Sequence, residues 1–282
     1  MINDFDYEIS NKKNAFSLNL KELWKYKDLI SLLVKRDYVA VYKQTVLGPI
    51  WFFVQPIITS IIFTVIFGNL AKLTPEGKPG FLFFLCGQTF WNYFASCLTS
   101  TSNTFVANAS VFGKVYFPRL AVPVSVVLSN LLKFGIQFLL LISVWLYYVL
   151  QDSNDIQANT TLLLIPFYLL LMAMIGLGSG LIISSLTTRY RDFTFLVGFG
   201  VQLMMYASSV VYPLSKVTNP QISFILKLNP LTSIIEAVKY GFDCGGIFNP
   251  LLILYSTLFA IVILLLGIVV FNRVEKTFMD TV

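Results

Sequence analysis

From Leu47 onward, long apolar runs alternate with short polar breaks. Six runs approach the ~20 residues that carry a helix across a bilayer core: residues 48–67, 81–105, 124–150, 161–186, 193–212 and 250–271. Pro49 suits the first turn of the first run, and Pro56 predicts a kink about a third of the way along it. In the fourth, the Gly176–Gly180 spacing, with Gly178 between them, lets another helix backbone approach closely. The second run is mixed: Gln88, Asn92, Ser96, Thr99 and Ser100 interrupt its aromatic and aliphatic residues. Such a face is costly against lipid, so it must look at protein or at a water-filled path.

Two segments follow other patterns. Between Leu20 and Tyr42, apolar side chains recur every three or four positions among Lys21, Lys25, Lys27, Lys35 and Arg36. That is an amphipathic helix, lying in the headgroup plane or packed on the protein's own cytoplasmic side. Residues 213–248 hold two apolar pieces too short to cross, punctuated by Asn219-Pro220, Asn229-Pro230 and Gly245-Gly246. They fit re-entrant or interfacial half-helices. The expectation is an all-α membrane protein: a polar tail (1–19), an interface helix with its linker (20–46), a six-span transmembrane domain (47–271) and a charged tail (272–282).

Composition agrees. At 56% apolar and 12% charged, 282 residues cannot cover a soluble surface. Histidine is absent, which removes His-dependent triads and His-ligated metal sites. Cys86 and Cys97 read as small apolar residues within a span, and Cys244 falls in a polar-side segment. The formal charge of +6 does not imply nucleic acid, because Lys and Arg gather at the ends of apolar runs. Fourteen of the twenty fall on one face, which places both termini in the cytoplasm, and an even number of spans agrees. The first ~20 residues lack the apolar core of a signal peptide, so the first span serves as the insertion signal.

No phosphate-cradling motif occurs, since Gly77-Lys78 runs into Pro79 without the surrounding Gly and Ser/Thr pattern. Acids are nearly absent from the spans, against a proton-coupled carrier. Lys133 is the ionisable residue inside a span. It reads either as a cation facing a translocation path, attracting an anionic headgroup, or as a snorkelling or partner-satisfied lysine. Aromatic residues crowd the first two spans, where they stack on sugar rings or anchor the interface. The candidate substrate path comprises Trp51, Gln55, Phe84, Gln88, Trp91, Tyr93, Ser96 and Lys133.

The order of pieces is specific. The basic helix is followed by RDYVAVYKQTVLGPIWFFVQPIITSIIFTVIFG, then GQTFWNYFASCLTSTSNTFVANASVFGKVYFPRLAVPVS, RYRD, NPLTSIIEAVKYG and the tail FNRVEKTFMDTV. Together these resemble the membrane-spanning subunit of polysaccharide-exporting ABC transporters, the O-antigen and teichoic acid permeases of the ABC-2 class. The resemblance implies a homodimer in the bacterial cytoplasmic membrane, working with two copies of a separate ATPase subunit that holds ATP and Mg, and no cofactor bound by this chain. It implies a coupling helix over 108–119, with Lys114, Tyr116, Phe117 and Arg119 as contacts to the ATPase. It further implies outward gate helices carrying Glu236 and Lys239, and a cytoplasmic entrance with Arg36, Lys43, Arg189 and Arg191. Substrates of the family are glycans on polyprenyl diphosphate, O-antigen foremost. Teichoic acid, capsule and other lipid or drug export are the alternatives. A stand-alone membrane enzyme would need clustered acids, a metal motif or a phosphate loop, and a channel or scaffold would lack a stimulated ATPase.

Overall fold

The computed structural model describes residues 20–43, 50–108, 117–151, 156–187, 190 and 192–278. The expected tail 1–19, the linker 44–49 and most of the 108–119 connector therefore lie outside the described residues. Among those described there is no strand. Helices α1 (Leu20–Lys25) and α2 (Lys27–Lys43) precede α3 (Trp51–Phe63), which continues as a π-helix over Thr64–Leu70. Then follow α4 (Gly80–Ser102), α5 (Thr104–Ala107), α6 (Ala121–Leu150), a 3₁₀ turn (Thr160–Leu164) running into α7 (Ile165–Thr187), and α8 (Phe193–Tyr206). A short 3₁₀ turn (Leu214–Lys216) leads to α9 (Pro220–Leu228), α10 (Pro230–Gly241) and α11 (Pro250–Phe278).

Among the described residues, four stretches are both long and apolar enough to cross a membrane: Trp51–Leu70, Ala121–Leu150, Thr160–Thr187 and Pro250–Val274. Helix α4 has the length, with 23 residues, but its amides and hydroxyls lower its hydropathy. Helix α8 has 14 residues and stops at Tyr206, short of the 193–212 run.

Helix α7 is the axis of the packing, held between α4 and α11. Glycines 176 and 180 lie 40° apart around a helix and Gly178 nearly opposite, so the three face two neighbours. A Cβ at Gly180 would stand 2.6 Å from the Thr101 Cβ, and one at Gly176 2.9 Å from the Cys97 Cβ, both on α4. On the far side, a Cβ at Gly178 would meet the Ile263 carbonyl oxygen at 2.6 Å, where α11 answers with Gly267. The core around α4 is aromatic, with Phe83, Phe84, Phe90 and Phe94 fully buried.

The amphipathic segment uses its apolar stripe on the protein. Leu33 is buried, and Leu23, Tyr26, Leu29 and Ile30 pack against a cluster built from Phe105, Phe117, Ala121, Leu181 and Phe271. Trp24 and Leu32 remain exposed.

Each Asn-Pro pair begins a helix. Asn219 Oδ1 accepts from the Gln221 and Ile222 N–H groups, and Asn229 Oδ1 from the Leu231 N–H. Each proline then occupies the first helical position, where no N–H is missed. These caps also explain why α8 ends early. Carbonyls just past its end are taken by the residue between α9 and α10 and by α10 itself: Asn229 Nδ2 donates to the Ala207 oxygen (2.9 Å) and Lys239 Nζ to the Ser209 oxygen (2.6 Å).

Candidate functional site

Two polar constructions stand out in an otherwise greasy bundle. The first is a cavity of about 280 Å³ between α3, α4 and α6. Helix α3 contributes Phe52 and Gln55; α4 contributes Asn92, Tyr93, Ala95, Ser96 and Thr99; α6 contributes Asn130, Lys133, Phe134 and Gln137. Positions 92, 96 and 99, and likewise 130, 133 and 137, recur at helical spacing, so each helix turns one polar stripe to the same space. Lys133 Nζ donates to Asn130 Oδ1 at 3.1 Å, and Asn92 Nδ2 approaches Gln137 Oε1 at 3.5 Å. Asn130 is 3% exposed, and its Nδ2 has no hydrogen-bond partner. A smaller recess next to this space is lined by Asp37, Tyr38, Ser129 and Lys133. Here α2 comes alongside α6, and the Ser129 hydroxyl donates to Asp37 Oδ2 at 3.4 Å. Asp37 also accepts from Arg36 at 2.8 Å.

The second construction holds α10 to the end of α8. Lys239, fully buried, reaches past Gly87, where a Cβ would come within 2.9 Å of its Cε. Its Nζ lies 3.5 Å from the centroid of the Phe83 ring and donates to the Ser209 and Val210 carbonyl oxygens. One turn earlier on the same face, Glu236 Oε1 accepts from the Ser209 hydroxyl (2.9 Å) and the Leu214 N–H, and Oε2 from the Ile247 N–H (3.0 Å). Burial pushes the Glu236 carboxyl up, while the Lys239 charge and these donors pull it back. Burial pushes the Lys239 ammonium down, and Glu236 opposes that shift. On its other side Glu236 borders a cavity of about 270 Å³, with Ser223, Lys227, Thr232 and Asn249. Around it, the loops at this end are tied together. Lys78 Nζ pairs with Asp243 Oδ2 at 2.7 Å, and Lys216 Nζ donates to the Lys72 carbonyl.

The residues expected from the sequence divide accordingly. Gln55, Tyr93, Ser96 and Lys133 come together at the first cavity. Phe84 and Trp91 are packed inside the bundle, with ring centroids 6.1 Å from Phe63 and 5.3 Å from Phe94. Gln88 is also buried, its Oε1 unpartnered, and Trp51 is 52% exposed on the outside of α3. Phe117 and Arg119 are buried at 8% and 6%. Lys114, Tyr116, Arg189 and Arg191 fall outside the described residues, as does the side chain of Lys43. Arg36 is exposed and paired with Asp37. Asn130, Gln137 and Asp37 were not singled out from sequence, although the 130–133–137 spacing is a legible signal for the first two.

The ABC-2 type transporter profile matches residues 28–243. Over 254 residues, 90% of this chain and 94% of the relative, the sequence is 28% identical to the O-antigen export system permease protein RfbA of Klebsiella pneumoniae. A Myxococcus xanthus protein of the same name is 26% identical over 78% of this chain and 82% of its own. The capsule polysaccharide export inner-membrane protein CtrC of Neisseria meningitidis is 23% identical over 91% of this chain and 95% of its own.

Proposed function

This chain belongs to the ABC-2 type transporter membrane family, and on that premise we propose that it is the permease subunit of an ATP-driven exporter of a polyprenyl-diphosphate-linked polysaccharide, O-antigen foremost. The observation that carries the proposal is similarity along 90% of the chain to a protein named an O-antigen export permease. Weaker likeness to a capsule export protein, at 23% identity, keeps capsule as the second reading.

The architecture proposed is six crossings in the bacterial cytoplasmic membrane with both termini in the cytoplasm. The polar positions of α4 that face the cavity between α3 and α6 escape the lipid penalty that would bar this helix from spanning. Helix α8 supplies a fifth, shortened crossing, and α9 and α10 turn back as a re-entrant pair. Exposed rings such as Phe195 and Phe199 on α8 suit contact with lipid or with a second copy in a homodimer.

Power comes from two copies of a partner ATPase, which bind ATP and Mg; this chain binds no cofactor. The 108–119 connector docks on the ATPase, and Arg36, Lys43, Arg189 and Arg191 draw the anionic lipid head to the cytoplasmic entrance. Closure of the ATPase dimer moves the connectors, and its differential affinity for the two arrangements supplies the free energy. Glu236 and Lys239 hold the outward gate. Deletion of the gene tests the proposal: the lipid-linked sugar that accumulates in the cytoplasm names the substrate, and accumulation of no lipid-linked glycan defeats the glycan reading.

A further inference from the structure

We infer that the cavity between α3, α4 and α6 is an anion site that takes a phosphate or diphosphate group, with Lys133 as its cation. The lining contains no carboxylate, yet it carries one ammonium and the amides of Gln55, Asn92, Asn130 and Gln137. The amides and hydroxyls offer acceptors as well as donors and would serve a sugar too; what favours a group with several anionic oxygens is the Lys133 ammonium, which no carboxylate of the lining pairs.

The charge of Lys133 is only partly answered within the protein. Asp37, the carboxylate facing Lys133 from α2, already accepts from Arg36 through two contacts, at 3.0 and 2.8 Å. It neutralises Lys133 only in part. Lys133 stands twelve residues beyond the start of α6, about 18 Å along the helix axis. A phosphate at that depth has left the aqueous boundary, and a cation with amide donors replaces the water it gives up. The inference rests on the exporter reading for its supply of such a group, which arrives on a lipid or free in water.

The full-length chain, with its ATPase where the two co-purify, is tested by native mass spectrometry against farnesyl diphosphate, farnesol and inorganic diphosphate. Farnesyl diphosphate is expected to bind, farnesol far more weakly. Lys133→Gln is expected to weaken farnesyl diphosphate about tenfold or more, the size of one charge-assisted contact, while Lys133→Arg retains it. Asn92→Asp keeps the side-chain shape and adds a negative charge to the lining, so it should weaken binding too. Competition by inorganic diphosphate shows that the anion alone fills the site; failure to compete assigns the site to a lipid-borne group. A folded Lys133→Gln protein that binds as tightly as wild type overturns the inference, as does equal binding of farnesol. Should Lys133→Gln not fold, unchanged affinity in Asn92→Asp overturns it. The assay contains neither glycan nor ATP, so its failure and a failure of glycan export in cells are read separately.

Discussion

Lys239 is placed where a helix has just ended. Two carbonyls at the end of α8, those of Ser209 and Val210, find their donor in its ammonium, and the backbone there turns through a left-handed Ser209 (φ 50°). Glu236 collects the Leu214 N–H beyond that break and the Ile247 N–H from the loop before α11. The two side chains thus satisfy backbone that helix ends leave open. Replacing Lys239 with Met strips the Ser209 and Val210 carbonyls of their donor and removes the cation near Glu236, which keeps only its neutral donors. Thermal unfolding of purified protein should show a marked drop in Tm. Adding Glu236→Gln to that variant removes the buried negative charge and should recover part of it; no recovery would mean that Lys239 acts through its carbonyl hydrogen bonds and packing rather than through its charge. Arg119, buried at 6%, is expected on substitution with Ala to lower expression and stability, rather than to uncouple an otherwise intact protein.

At the scale of elements, the glycines of α7 are legible in the sequence as a close-approach pattern, but their two neighbours are not. Gly180→Leu drives a side chain into Thr101, and the overpacking should cost about 1–3 kcal/mol, seen as a lower Tm. Gly135 on α6 has nothing within 4 Å of a built Cβ, so Gly135→Ala should be neutral or slightly stabilising in the same melt. Equal effects at the two positions would remove the packing account. The end of α8 was not legible, because Phe193 to Tyr212 reads as one apolar run and its stop is imposed by Asn229, Thr232 and Lys239 from a later segment. The π-helical stretch Thr64–Leu70 likewise has no marker in the apolar pattern. Pro56, by contrast, lies within α3, as its position in the run requires.

For the whole molecule, the proposed orientation and the link to a motor are the exposed questions. The three native cysteines are buried, so a single introduced cysteine reports cleanly on sidedness. Cysteines at Ser10 and Thr281 should react with an impermeant maleimide only after permeabilisation, and one at Asn154 in intact cells. Labelling of the two termini on different sides would break the six-crossing scheme. Within the connector, Lys114→Ala should leave insertion unchanged while lowering export per ATP hydrolysed, measured on the reconstituted complex. Wild-type coupling would take Lys114 out of the docking contact.

Hydrophobic patterning alone determined that this chain enters a membrane and where its helices begin. It also determined that the 81–105 run carries a polar face, because the cost of exposing amides and charges to lipid is paid locally, residue by residue. Only the tertiary structure decided which polar residues share a space. Gln55, Asn92 and Lys133 meet because three helices turn their stripes inward together, whereas Phe84 and Trp91, equally plausible by composition, are consumed in packing. Convergence of that kind depends on the rotation of each helix about its axis, which contacts between distant segments set and a linear pattern does not record.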